Sequence, residues 1–452
     1  MLYKSLKSNS ELVNFETAVK NGLAKDGGLY FPTKIKALDK SFIKNLPQKS
    51  NHEIAYEIIK QFVGDSISEF DLKEIIKKTL DFPFPLVEIE KNILALELFH
   101  GPTLAFKDVG ARFMANCLGQ FNKKNNDTTV LVATSGDTGA AVANGFLGVK
   151  GTKVIILYPS GKVSKIQEHQ LTTNGQNIIA LKVNGFFDDC QKIVKTAFTD
   201  KELNNKINLT SANSINVARW LPQMFYYFIA YKELTKQQKE IVFSVPSGNF
   251  GNICAGLIAM KLGLPVKHFV ASTNINDTIP NYFKTKKYIA KASKQTISNA
   301  MDVGDPSNFE RILEIFENDH DNLLKKMSSF SFDDKQTVKA IYNVYNRSNY
   351  ILDPHGAVGY LGLIKYLKKN PKYLGVFLET AHPIKFSNDV EKTIGYEIKI
   401  PSRISNLLKK EKKFITINNY KEFKNELIKF SVTQKNLKDF SFSLIFLFHL
   451  IF

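Results

Sequence analysis

The sequence predicts an α/β fold with more than one parallel sheet, and three observations carry that prediction. Short, continuous apolar runs recur along the chain; each is followed by a helix-like amphipathic segment; and glycine-bearing loops join several strand ends to helices. Strands apolar on both faces belong to parallel sheets covered by helices. Residues 1 to about 85 read as helical and polar, with a turn at GGLYFP (27–32) and no obvious chemistry. From about residue 90 the texture becomes β-rich. TTVLVAT (128–134) precedes SGDTGAAVANGF, TKVIILYP (152–159) precedes VSKIQEHQL, and NIIALKV (177–183) precedes FFDDCQKIVKTAF. KINLTSA (206–212) precedes the helix-like SINVARWLPQMFYYFIAYKEL, and EIVFSVP (240–246) precedes SGNFGNICAGLIAMKLG. PVKHFVAS and YLGVFLET supply further strands, and no low-complexity linker or internal repeat divides the series.

Composition bounds the function. A chain of 452 residues exceeds one typical core and implies two or three domains. With 44% hydrophobic and 23% charged residues it reads as a soluble globular protein. The net charge of +18 invites a nucleic-acid reading, but only five of the 61 basic residues are arginines. Neither an arginine cluster nor a recognisable binding module is present, so the charge reads as a lysine-rich solvated surface, with no nucleic-acid partner. Cys117, Cys190 and Cys254 are widely spaced and odd in number, which fits a reducing compartment, the cytoplasm. His100, His355 and His382 lack metal-ligand spacing, and no metal is expected. No signal core opens the chain, and no run reaches the roughly 20 apolar residues of a spanning helix, so no membrane partner is expected. FSFSLIFLFHLIF (440–452) is too short to span; it reads as a buried terminal element, with a weak membrane contact as the alternative.

Five segments carry candidate chemistry. In FHGPTLAFKD (99–108), Lys107 follows an apolar, turn-rich stretch at a helix start. A solvated lysine is the commoner outcome there, but a desolvated one loses its proton more easily and can attack a carbonyl. SGNFGN (247–252) lies between a strand and a helix, and Gly248 and Gly251 let backbone N–H groups converge on one anion. It lacks the Lys-Ser/Thr of a nucleotide loop, so a small cofactor phosphate fits better. SGDTG (135–139) repeats the design. Ser135 and Thr138 could hold a carboxylate, while Asp137 more commonly caps a helix. SANSINVAR (211–219) puts Asn213 and Ser214 at a helix start and Arg219 over one turn further on. Arginine's fork of donors suits a phosphate, although a surface ion pair is as common a role. Thr380, closing GVFLET, could hydrogen-bond a ring nitrogen. DPHG (353–356) and MDVGDPSN (301–308) read as turns.

Taken together, GGLYFP, HGPTLAFKD, TSGDTGAAVA, NSINVARWLPQ, PSGNFGN, MDVGDPSN and ETAHPIKF resemble the threonine synthases, within the fold-type-II family of pyridoxal-phosphate enzymes. The resemblance runs from about residue 20 to 390. It implies two parallel-sheet lobes and an additional N-terminal domain. The implied boundaries are 1–85, a catalytic core over 86–400 with its small lobe at roughly 110–225, and a C-terminal segment, 401–452, of uncertain role. It implies that Lys107 forms the Schiff base with pyridoxal 5'-phosphate and moves protons at the substrate. Gly248, Asn249, Phe250, Gly251 and Asn252 would hold the cofactor phosphate, Thr380 would meet the pyridine nitrogen, and Asp137 would stand near the phenolic oxygen, where relatives often have Asn. Ser135 and Thr138 would take the substrate carboxylate. Asn213, Ser214 and Arg219 would bind the phosphate of O-phospho-L-homoserine, which is converted with water to L-threonine and phosphate. A monomer or a homodimer is expected. A dehydratase of the same cofactor class would need no second phosphate site.

Overall fold

The computed structural model describes residues 1–124 and 127–430; the apolar segment 440–452 lies outside them. Thirteen strands are formed among the described residues. They are β1 Tyr3–Ser5, β2 Tyr30–Pro32, β3 Leu86–Glu90, β4 Ile93–Glu97, β5 Thr128–Ala133, β6 Thr152–Pro159, β7 Ile178–Val183, β8 Leu209–Ser211, β9 Ile241–Pro246, β10 Val266–Thr273, β11 Met327–Ser331, β12 Leu374–Glu379 and β13 Ile415–Ile417. β13-β7-β6-β5-β8 is a fully parallel sheet. β11-β10-β9-β12-β4-β3 is parallel except for its edge hairpin, β3–β4. The parallel sheets expected from the alternating pattern, and the two lobes implied by the resemblance, are therefore present.

Every residue of β5, β6 and β9 is buried, which is why their sequences are mostly apolar rather than alternating. The predicted strand over 206–212 shortens to β8, three residues long. The predicted turn at 27–32 is only partly a turn: Gly27 adopts a left-handed φ of 75°, and Tyr30–Pro32 then pairs antiparallel with β1. The single helix suggested by SINVARWLPQMFYYFIAYKEL is interrupted. Pro222 sits in a 3₁₀ turn, Leu221–Gln223, between Val217–Trp220 and Met224–Leu234, because proline cannot supply the N–H of a continuing helix. The N-terminal region does not pack apart: Tyr3, Phe15, Ile58 and Phe62 share one apolar core with Val109, Phe113 and Trp220.

Candidate active site

The carboxyl ends of the parallel strands open into one cavity between the lobes, the usual position for a site in α/β sheets. Among the residues lining it are Lys107, Ser135, Thr138, Asn213, Ser214, Arg219, Gly248, Asn249, Phe250, Gly251, Asn252 and Thr380. Segments separated by more than 250 residues thus converge. Asp137 alone, of the residues picked from sequence, does not line the cavity.

Lys107 opens the helix Lys107–Phe121. The turn before it is fastened to the end of β12: Phe106 N–H donates to the Thr380 carbonyl at 2.9 Å, and His382 N–H donates to that of Leu104 at 3.1 Å. Asp108 closes the turn by accepting from Thr103 N–H at 2.9 Å and from its hydroxyl at 2.5 Å. Burial pushes Lys107 down to about 8; the nearby charges of Arg219 and Lys385 add to the shift and Asp137 opposes it. Lys107 is half-buried at the cavity wall, not on the outer surface.

The phosphate-type loop presents its backbone. Phe250 takes a left-handed φ of 61° just before the helix Gly251–Lys261. A Cβ on Gly248 would lie 2.6 Å from the Ala300 carbonyl oxygen and 2.8 Å from Met301 Cα, so only glycine lets these backbones approach. The Asn249 side chain is already engaged, donating to Ser214 Oγ at 2.9 Å and accepting from Ser307 N–H at 2.7 Å. Ser214 Oγ also accepts from the Asn308 amide at 2.9 Å. With two donors on its oxygen, the Ser214 hydroxyl keeps its own proton for the cavity.

At the second loop the helix is Asp137–Phe146, and its cap is not Asp137. Thr134 Oγ1 accepts from Gly136 N–H at 2.9 Å and Gly139 N–H at 2.8 Å. The Asp137 carboxylate is buried against Lys385 Nζ at 2.6 Å and the Gln167 amide at 2.9 Å. Burial opposes its charge, but Lys385 and Lys107 overcome that and hold it well below the usual carboxylate range.

Asn213 and Ser214 do not start a helix; Asn216 caps Val217–Trp220 by accepting from Ala218 N–H at 3.0 Å. Asn213 instead donates to the Ala133 carbonyl at 2.9 Å. Arg219 is only 3% exposed, and its Nε and Nη1 have no partner among the described residues. Burial lowers it to about 10, with Asp108 opposing. It makes no surface ion pair.

Several contributors had no local signal. His355, read as part of a turn, lines the cavity; its Nδ1 is 2.5 Å from Asp353 Oδ1 and its Nε2 accepts from Ala300 N–H at 3.2 Å. Asn299 lines the same wall, its Oδ1 without a partner among the described residues. Arg311 holds the Ser214 loop from behind, donating to the carbonyls of Ser214 at 2.9 Å and Tyr30 at 3.0 Å.

A desolvated lysine facing a glycine-bearing anion cradle, on two parallel sheets, points to a pyridoxal-phosphate enzyme; Gly248 packs its backbone on Ala300 and Met301 and Gly251 packs on Ser214, and the loop they shape lines the cavity at a helix N-terminus, which fits that cofactor's phosphate. Residues 80–374 match the family model for pyridoxal-phosphate dependent enzymes, residues 2–80 the threonine synthase N terminus, and residues 356–428 the threonine synthase C-terminal region. Threonine synthase of Buchnera aphidicola subsp. Baizongia pistaciae is 47% identical over 408 residues, covering 90% of this chain and 94% of the relative. The crystal structure of threonine synthase from Escherichia coli superposes with a TM-score of 0.89 at 40% identity, covering 95% of this chain and all of that one. The pyridoxal-phosphate-bound threonine synthase from Brucella melitensis gives 0.88 at 33% identity, covering 95% and 99%. The chain belongs to the threonine synthase family, and its cofactor is pyridoxal phosphate.

Proposed function

We propose that the chain converts O-phospho-L-homoserine and water to L-threonine and phosphate, and that Arg219 selects the substrate by its phosphate. One observation carries the residue assignment: a buried guanidinium with two nitrogens unpartnered among the described residues lines the same cavity as Lys107. Unsatisfied buried donors are costly unless a ligand completes them. An anion with several acceptor oxygens does so, and a phosphate matches the fork.

Lys107 carries the cofactor, and the backbone of Gly248 to Asn252 holds the cofactor phosphate at the N-terminus of Gly251–Lys261. Thr380 offers a neutral hydroxyl to the pyridine nitrogen. The bound cofactor supplies an electron sink for negative charge developing beside the substrate amine. Lys107, depressed to about 8, holds its proton loosely enough near neutral pH to take and return protons at the α and β carbons. Arg219, Ser214 and Asn213 hold the leaving phosphate while the γ carbon–oxygen bond breaks; water then adds at the β carbon. Ser135 and Thr138 orient the substrate carboxylate. Asp137 belongs to the same centre through Lys385. No helix of the described residues is long and apolar enough to cross a membrane, and all three cysteines are buried and free. The free cysteines fit a reducing compartment, and the reading is of a cytoplasmic enzyme that works as a monomer or homodimer. The test is phosphate release matched by threonine formation from O-phospho-L-homoserine, with Lys107→Ala inactive. Equal turnover of threonine or serine would instead make it a dehydratase.

A further inference from the structure

Lys385 has no place in the chemistry above, yet it is more deeply buried than Lys107. It lies in the 3₁₀ turn Pro383–Phe386 and is 1% exposed. Its Nζ is 2.6 Å from Asp137 Oδ1 and donates to the Thr103 carbonyl at 3.0 Å. The pair therefore ties the second glycine loop to the turn that presents Lys107, since Thr103 is also the partner of Asp108. Neither charge can swing away. Gln167 grips Asp137 from the other side, and Gln167 is itself fixed by a capping box with Ser164. Even Gly136 must lack a side chain there, because its Cβ would meet Gln167 at 2.3 Å.

We propose that Lys385 is a positioning residue: its buried ammonium cancels Asp137 and fixes the charge that Lys107 meets. The inference rests on Lys107 being the cofactor lysine. The charged groups facing Lys107 are Asp137, Arg219 and Lys385. Asp108 and His382 feel Lys385 in turn and are unchanged in the variants below. Without Lys385, the Asp137 carboxylate is left buried with Lys107 as its nearest cation, and the Lys107 nitrogen holds its proton more tightly. Without the Asp137 charge, Lys385 and Arg219 both repel that proton. Without either charge, the two effects offset. A carboxylate at position 137 thus serves where a neutral amide would, because Lys385 is there.

The experiment is a pH titration of cofactor absorption in the holoenzyme, since the Lys107 nitrogen is part of the absorbing group. Lys385→Met raises the midpoint and Asp137→Asn lowers it, each by about one unit or more. The double variant returns to within about half a unit of wild type, and Lys385→Arg stays close to wild type. Singles that shift together, or not at all, overturn the proposal, and a merely structural pair would lower thermal stability without moving the midpoint. If Lys385→Met does not fold, the downward shift of Asp137→Asn still decides the sign. A wild-type protein with no cofactor absorption would instead remove the Lys107 assignment, and this proposal with it.

Discussion

Replacing Arg219 with methionine is expected to make the protein more stable and worse at its reaction. Burial lowers the guanidinium from its ordinary range to about 10. At 1.36 kcal/mol per unit, keeping it charged in the folded protein costs about 3 kcal/mol, in line with the ~1–3 kcal/mol lost when a buried donor goes unsatisfied. The sign follows from a folded value below the unfolded one: the cost is fully present below about pH 10 and fades as pH rises toward the ordinary arginine range. Methionine has similar reach and no donor, so urea unfolding at neutral pH should show a gain of about 1–3 kcal/mol. Catalysis moves the other way. Losing a desolvated charge partner costs ~2–5 kcal/mol, a fall in kcat/KM of roughly 30- to 3000-fold at 1.4 kcal/mol per decade. Inorganic phosphate, the product, should raise the stability of the wild type and not of the variant. A less stable Arg219→Met enzyme with unchanged kcat/KM on O-phospho-L-homoserine would make Arg219 structural and refute the assignment.

Lys107→Ala should abolish turnover and leave no cofactor mass on the protein after borohydride reduction, against one cofactor per wild-type chain. Because the Lys107 amine is held at about 8, cofactor attachment to the apoprotein should quicken as pH rises and level off above about pH 8; a plateau reached only near the ordinary lysine value of 10.5 would contradict the desolvated site. Gly248→Ala forces a Cβ to within 2.6 Å of the Ala300 carbonyl oxygen. Strain of ~1–3 kcal/mol should weaken cofactor binding about 5- to 150-fold in an absorbance titration. Ser214→Ala should raise KM for the phosphorylated substrate by about tenfold, the loss of roughly 1.4 kcal/mol of hydrogen bonding, measured with the cofactor saturating because the Asn249 amide loses its acceptor as well.

What could be read from sequence was what local chemistry determines. β5, β6 and β9 are legible because burial on both faces demands apolar residues throughout. The glycine loops are legible because an anion cradle needs bare backbone. The β3–β4 hairpin has half-exposed, glutamate-bearing strands, and its place is set by pairing Ile93 with Gly375 across the chain. Ile415–Ile417 joins the smaller sheet through a register with Leu181 that three residues cannot announce. DPHG carries ordinary turn chemistry, and only the fold brings His355 to Ala300 N–H. Lys385 is one lysine among many, with nothing local to mark it as buried.

The two interior arginines show how site and scaffold are told apart. Arg311 is fully buried, as Arg219 nearly is, but its donors are spent: on the carbonyls of Tyr30, Ser214 and Ile215 and on Asn308, with its guanidinium 4.7 Å from the Trp220 ring centroid. It joins β2, the Ser214 loop and the start of Phe309–Ile315, and has nothing left to give a ligand. Arg219 lies beside the same tryptophan in sequence and leaves Nε and Nη1 unpartnered among the described residues. Folding alone would favour satisfying both or burying neither. The contrast is accounted for if the Arg311 network holds Ser214 in place and Arg219 waits for an anion that the protein itself does not supply.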